Sequence, residues 1–188
     1  MLHPQQASAV LALLLLVAIP GYNAFQFNAD LDALLATFPA YGAYSAAEFD
    51  DNTLIDLSGN GRDATVTAGS VSVRTASANG ASNGATVLAG GTSAKVLWPV
   101  GIIPATFTIC SVTRYDDTGP SNFKRILQAH NFMHGQHEGY RGIAYYGDGW
   151  KTPWQKSTGT LTDWLVMCGT NGQPETRNPK PEIVKHAS

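Results

Sequence analysis

Beyond Pro39 the chain is cut at short intervals by two-residue turn signals: Asn60-Gly61, Asn79-Gly80, Asn83-Gly84, Gly90-Gly91, Asp148-Gly149 and Asn171-Gly172. Each pair supplies the positive φ angles of a tight turn at low cost, and the runs between them are rich in Val, Thr, Ile and Tyr. Punctuation this frequent leaves little room for long helices. It predicts an all-β fold of many short antiparallel strands, most simply a sandwich of two sheets. No repeat period of a propeller or solenoid is visible.

Composition narrows the class. With 188 residues, 44% hydrophobic, the chain suits one domain with a real core, and a net charge of −2 removes the self-repulsion that keeps disordered chains open. Its 12 basic residues are scattered among 14 acidic ones, and Lys124-Arg125 is the one adjacent basic pair, which disfavours a nucleic-acid binder.

The first 24 residues read as a secretory signal peptide. Ala9 to Ile19 is an unbroken apolar run closed by Pro20-Gly21, too short for the roughly twenty residues of a spanning helix. The cleavage position is ambiguous, and a buried N-terminal helix is the competing reading. No other apolar run reaches spanning length, so no transmembrane anchor is expected, and the product is expected to be secreted. Residues 25–40 form an N-terminal segment in which Leu31, Leu34, Leu35 and Phe38 are spaced for a short helix that Pro39 stops. Residues 41–172 make the sandwich domain. Residues 173–188 carry three prolines and no alternating apolar pattern, and read as a disordered tail.

Two core strands stand out. Thr106 to Tyr115 puts Phe107 and Ile109 on one face and Cys110 and Val112 on the other, while Trp164 to Cys168 is apolar on both. Each carries one of the two cysteines. An even count in an exported chain favours a Cys110–Cys168 disulfide, against the alternative of two buried thiols.

The order Tyr41-x-x-Tyr44-Ser45, Asp56-Leu57-Ser58-Gly59-Asn60-Gly61-Arg62-Asp63, Phe107-Thr108-Ile109-Cys110, Arg125-Ile126-Leu127, Gly142-Ile143-Ala144, Trp150-Lys151-Thr152, Asp163-Trp164 and Asn171-Gly172 resembles the laminin-G-like branch of the concanavalin A-like lectin/glucanase superfamily. The resemblance implies a concanavalin A-like antiparallel jelly-roll sandwich that binds glycans or proteins outside the cell, sometimes with calcium. Such domains continue past the last Asn-Gly turn with further strands, so the sandwich is expected to be incomplete in this chain.

Several residue sets carry possible chemistry. Asp56, Ser58 and Asn60 alternate before Gly61 as at the start of a calcium loop, with Asp63 as a further oxygen, but Thr67 stands where the loop's bidentate Glu belongs. A hydrogen-bonded Asx and Ser turn is the simpler reading. His130, His134, His137 and Glu138 are dense enough to suggest zinc, yet without a helix their spacing does not place the imidazoles on one face. Followed by Tyr140, Tyr145, Tyr146, Trp150 and Trp154, they read instead as a polar loop beside aromatics. On that reading His134, His137, Glu138, Arg141 and Trp150 form a glycan site, although some strand aromatics belong to the core.

Enzymes of this superfamily leave weaker marks. The Glu-x-Asp-x-x-Glu pattern of its glycosidases is absent. Gln128-Ala129-His130 with Arg125 and Tyr145-Tyr146 loosely resembles the elements of a jelly-roll polysaccharide lyase, without the arginine-rich strand of those enzymes. The expected function is therefore a secreted, non-catalytic, lectin-like or adhesion module for an extracellular polysaccharide or glycoprotein. A structural matrix or wall protein and a glycan-active enzyme are the alternatives.

Overall fold

The computed structural model describes residues 10–12, 40–105, 107–116, 124–147, 149–153 and 160–171. The short helix expected over 30–38 and the tail expected over 173–188 lie outside them. All regular structure among the described residues is strand: β1 Val10–Ala12, β2 Tyr44–Asp50, β3 Thr53–Asp56, β4 Ala64–Ala68, β5 Val71–Ala78, β6 Ala81–Gly90, β7 Lys95–Leu97, β8 Thr108–Arg114, β9 Leu127–Ala129, β10 Phe132–His137, β11 Tyr140–Tyr146, β12 Gly149–Trp150 and β13 Leu165–Thr170.

The strands make three antiparallel sheets. The first has the order β13-β8-β1-β6-β5, the second β12-β11-β10-β9 and the third β2-β3-β4-β7. Asn79 (φ 56°) and Gly80 (φ 88°) close the hairpin between β5 and β6 as expected, with a pairing that runs from Val71↔Gly90 to Ala78↔Ala81, whereas Asn83-Gly84, expected as a turn, lies inside β6. Val10–Ala12, inside the run expected to be a leader, forms the middle strand of the first sheet. Its backbone pairs with Leu88 of β6 and with Val112, Thr113 and Arg114 of β8.

Apolar side chains form two larger clusters, each including residues of the first sheet or its flanks, and a small third one of Ala76 and Val87 with Trp164 packed against it. Tyr44, Leu54, Val96 and Trp98 of the third sheet and its flanks meet Leu88, Tyr115 and Ile126. Phe132 and Tyr146 of the second sheet meet Met167, with Phe107, Ile109 and Leu165 packed beside them. Phe107 and Ile109 thus share the inner face expected of them, their neighbours alternating away as strand geometry requires. Burying a side chain such as Leu54, 2% exposed, contributes about 2 kcal/mol.

Cys110 and Cys168 are directly paired across β8 and β13 and are joined by a disulfide, their Cα atoms 4.1 Å apart. The bond ties together two core strands 58 residues apart in sequence, with the whole second sheet between them in the chain.

Candidate functional site

The segment expected to be a polar loop, His130 to Arg141, is a β-hairpin. β10 and β11 pair from Phe132↔Tyr146 to His137↔Tyr140, and Glu138 (φ 46°) with Gly139 (φ 84°) makes the turn. The glycines and polar residues that suggest a loop have other uses. Gly135, at φ 95°, accommodates the bulge where the register shifts, and His134 and Gln136 alternate with Met133 and His137 as a strand's residues do.

That alternation divides the five residues expected at the glycan site between two faces. His134 is fully buried, its Nδ1 2.6 Å from the Tyr146 hydroxyl and its Nε2 3.2 Å from the Met167 carbonyl oxygen on β13. Burial pushes its pKa down to about 4, so the ring is neutral at pH 7. Arg141 also turns inward, and its Nη2 donates to the Trp164 carbonyl oxygen at 2.7 Å. Beside it, Gln136 accepts from the Thr113 hydroxyl at 2.7 Å, while its buried amide nitrogen finds no acceptor. These three residues tie the second sheet to β8 and β13. They are core, not ligand surface.

The opposite face of the hairpin is different. The register aligns Gln128 of β9 with Met133, Met133 with Tyr145, and Tyr145 with Trp150 of β12, so these four side chains project from one face in a row across all four strands. Trp150 is 45% exposed. Its ring meets Tyr145 edge-on at 5.3 Å and lies 6.2 Å from the His137 ring. Arg125, exposed at the approach to β9, donates from Nε to His137 Nδ1 at 3.2 Å, and Glu138 places a carboxylate oxygen 3.9 Å from His137 Nε2.

The electrostatics of His137 follow from those partners. Burial and the neighbouring Arg125 cation lower its pKa, against an opposing pull from Glu138. The neutral ring accepts at Nδ1, so its proton sits on Nε2. Three of the five expected residues, His137, Glu138 and Trp150, therefore come together, joined by Arg125, Gln128 and Tyr145. A period of two over Phe132 to Tyr146 separates the residues that face the first sheet from those that face away, although every residue of β10 is buried.

The three histidines do not converge: His134 faces inward, His137 outward, and His130 lies in the turn before β10. Among the described residues no group of three His, Cys, Asp or Glu side chains is placed to hold a metal ion.

The turn from Asp56 to Asp63 is a hydrogen-bonded clamp. The Asp56 carboxylate accepts from the backbone N–H of Ala43 and of Ser58 at 3.0 Å each, from the Ser58 hydroxyl at 2.8 Å and from the Arg62 N–H at 2.9 Å. Asp63 Oδ1 accepts from the Asp56 N–H at 2.8 Å, and Asn60 Nδ2 donates to the Ala40 carbonyl oxygen and to Ser58 Oγ at 3.0 Å each. Arg62 reaches the Tyr41 carbonyl oxygen at 2.6 Å and lies over the Tyr41 ring. The set locks the chain into β2. Both Asp56 oxygens accept N–H and O–H donors, the pattern of a hydrogen-bonded Asx and Ser turn.

Burial alone would raise the Asp56 pKa, but its hydrogen bonds outweigh that and hold it below the ordinary value. Asp56→Ala leaves several N–H groups unsatisfied and should destabilise the fold by about 2 kcal/mol, read as a lower urea midpoint with an unchanged m-value. An unchanged midpoint would show the clamp to be dispensable.

Comparison with family models, with curated proteins and with solved structures finds no match to this chain.

Proposed function

We propose that the protein is a secreted, non-catalytic carbohydrate-binding module of lectin-like type, built on a concanavalin A-like jelly roll, with the outer face of the second sheet as its ligand surface. The observation that carries this reading is the exposed Trp150 ring at the end of the Gln128–Met133–Tyr145–Trp150 row. A half-exposed aromatic ring beside polar groups suits a sugar ring, whose C–H face stacks while its hydroxyls meet His137 and Glu138, with Gln128 further along the row within reach of an adjoining sugar.

The test is a glycan-array screen of the wild type and Trp150→Ala, each with its melting curve. Binding by the wild type and a loss of about tenfold or more in the variant, with melting little changed, is the expected result. Equal binding by both proteins would move the ligand surface elsewhere. Binding should survive EDTA, because the oxygens of the Asp56 turn serve the fold.

Secretion rests on the apolar leader-like run and on the disulfide, which persists in oxidising compartments. Removal of a leader and retention of β1 exclude each other in one molecule. N-terminal sequencing of the exported protein decides between them, and a first residue after Ala24 is the expected result.

A further inference from the structure

The ligand face carries a cation whose geometry says more about the ligand. Arg125 is exposed, and its guanidinium is oriented by the Nε–H that donates to His137 Nδ1 at 3.2 Å. That bond uses one edge of the group, and among the described residues the two terminal nitrogens have no hydrogen-bond acceptor. No carboxylate among the described residues pairs with Arg125; Glu138 lies against the other ring nitrogen of His137, with the imidazole between. Lys124, the neighbouring residue, is also exposed and makes no ion pair among the described residues. Asp148 lies outside the described residues.

An exposed Arg ordinarily gains by pairing with an acid or staying mobile in water. Here it is held by a neutral ring that is itself in contact with Trp150. A planar guanidinium with two parallel N–H donors in a fixed direction matches the paired oxygens of a carboxylate or sulfate, and it recognises them through both charge and shape. Only one imidazole separates it from the Trp150 plane. A sugar stacked on Trp150 would therefore bring a substituent on itself or on the adjoining residue to Arg125.

Resting on the carbohydrate reading above, we infer that this face selects acidic glycans: Arg125, oriented by His137, binds a carboxylate or sulfate of a saccharide that stacks on Trp150. His137 acts as a positioning residue, fixing the guanidinium and not touching the anion. Because the site is open to solvent, the interaction is salt-sensitive.

The experiment titrates wild type, Arg125→Gln and Arg125→Lys with a neutral glucan hexasaccharide, a uronate hexasaccharide and a sulfated galactan hexasaccharide, at about 50 and about 300 mM NaCl. At low salt the wild type should bind one acidic ligand roughly tenfold more tightly than the neutral one and lose that preference at high salt. Arg125→Gln should remove the preference with melting unchanged, and Arg125→Lys should keep part of the charge effect without the planar fork. Preference for the uronate assigns a carboxylate, and preference for the galactan a sulfate. Equal binding of neutral and acidic ligands, or a preference that survives Arg125→Gln, overturns the inference and leaves the carbohydrate reading standing. Binding of none of the three overturns both.

Discussion

Replacing Cys110 and Cys168 together with Ser should lower the unfolding free energy by about 4 kcal/mol, the largest loss expected from any change that leaves the rest of the chain intact. In the chain-entropy model, opening a loop with the sequence separation of 58 seen here releases roughly that much conformational freedom in the unfolded state. Against a typical total of about 5–15 kcal/mol this is a large share, and it should lower Tm by roughly 8–16 °C. Reductant should move the wild type by a similar amount and the variant not at all. The loss should also be uneven. The disulfide closes the loop that contains β9 to β12, so amide exchange should accelerate more around Phe132, Tyr146 and Met167 than around Tyr44, Leu54 and Trp98. Two thiols that react with a maleimide in unfolded, unreduced protein would contradict the bridge.

Acid should weaken the fold well before its carboxylates titrate. His134 is neutral in the fold with a pKa of about 4, whereas an unfolded His takes up a proton near 6.5. Between those values the unfolded state binds more protons than the native state, so stability falls as pH is lowered through this window and levels off below about pH 4. The full difference is on the order of 3 kcal/mol. His137 is shifted in the same direction, so the wild-type slope contains both residues. Comparing urea midpoints at pH 7 and pH 4.5 in wild type and His134→Gln separates them: the variant should start less stable, but its midpoint should change less with pH. An equal pH dependence in the two proteins would contradict a buried neutral imidazole bridging Tyr146 and Met167. The bridge has a further steric requirement, since the Tyr146 hydroxyl lies against Gly169, where any Cβ would collide with it. Gly169→Ala should therefore disturb the same network.

The parts of this structure legible in the sequence are those set by short-range physics. Asn79-Gly80 adopts the positive φ angles a tight hairpin needs, and the alternation of Phe107 and Ile109 with Cys110 and Val112 places one pair against Phe132 and Tyr146. The cysteines sit on strands apolar enough to be core, and core strands of one sheet can bring them into register. The hairpin of β10 and β11 was harder to see, because His134, Gln136 and Arg141 look like surface residues. Apart from Tyr146 in the same hairpin, their partners Met167, Thr113 and Trp164 lie on distant parts of the chain, and only tertiary structure shows where these polar groups find hydrogen bonds inside. The same pairing created the ligand face. Gln128 and Trp150 are far apart in sequence but share one cross-strand row, a relation that residue spacing alone does not reveal. In the Asp56 turn the alternating oxygens were visible, but not the N–H groups of Ala43 and Arg62 that engage them.

The most direct test of the ligand face is to follow the indole N–H resonances of the protein by NMR while acidic and neutral oligosaccharides are added. The signal missing from Trp150→Phe identifies Trp150, and Trp98, 9% exposed in the core, provides an internal reference. A saturable shift of the Trp150 indole, with Trp98 unmoved, is the expected result. Saturable binding that leaves the Trp150 indole in place and perturbs another surface would contradict the assignment.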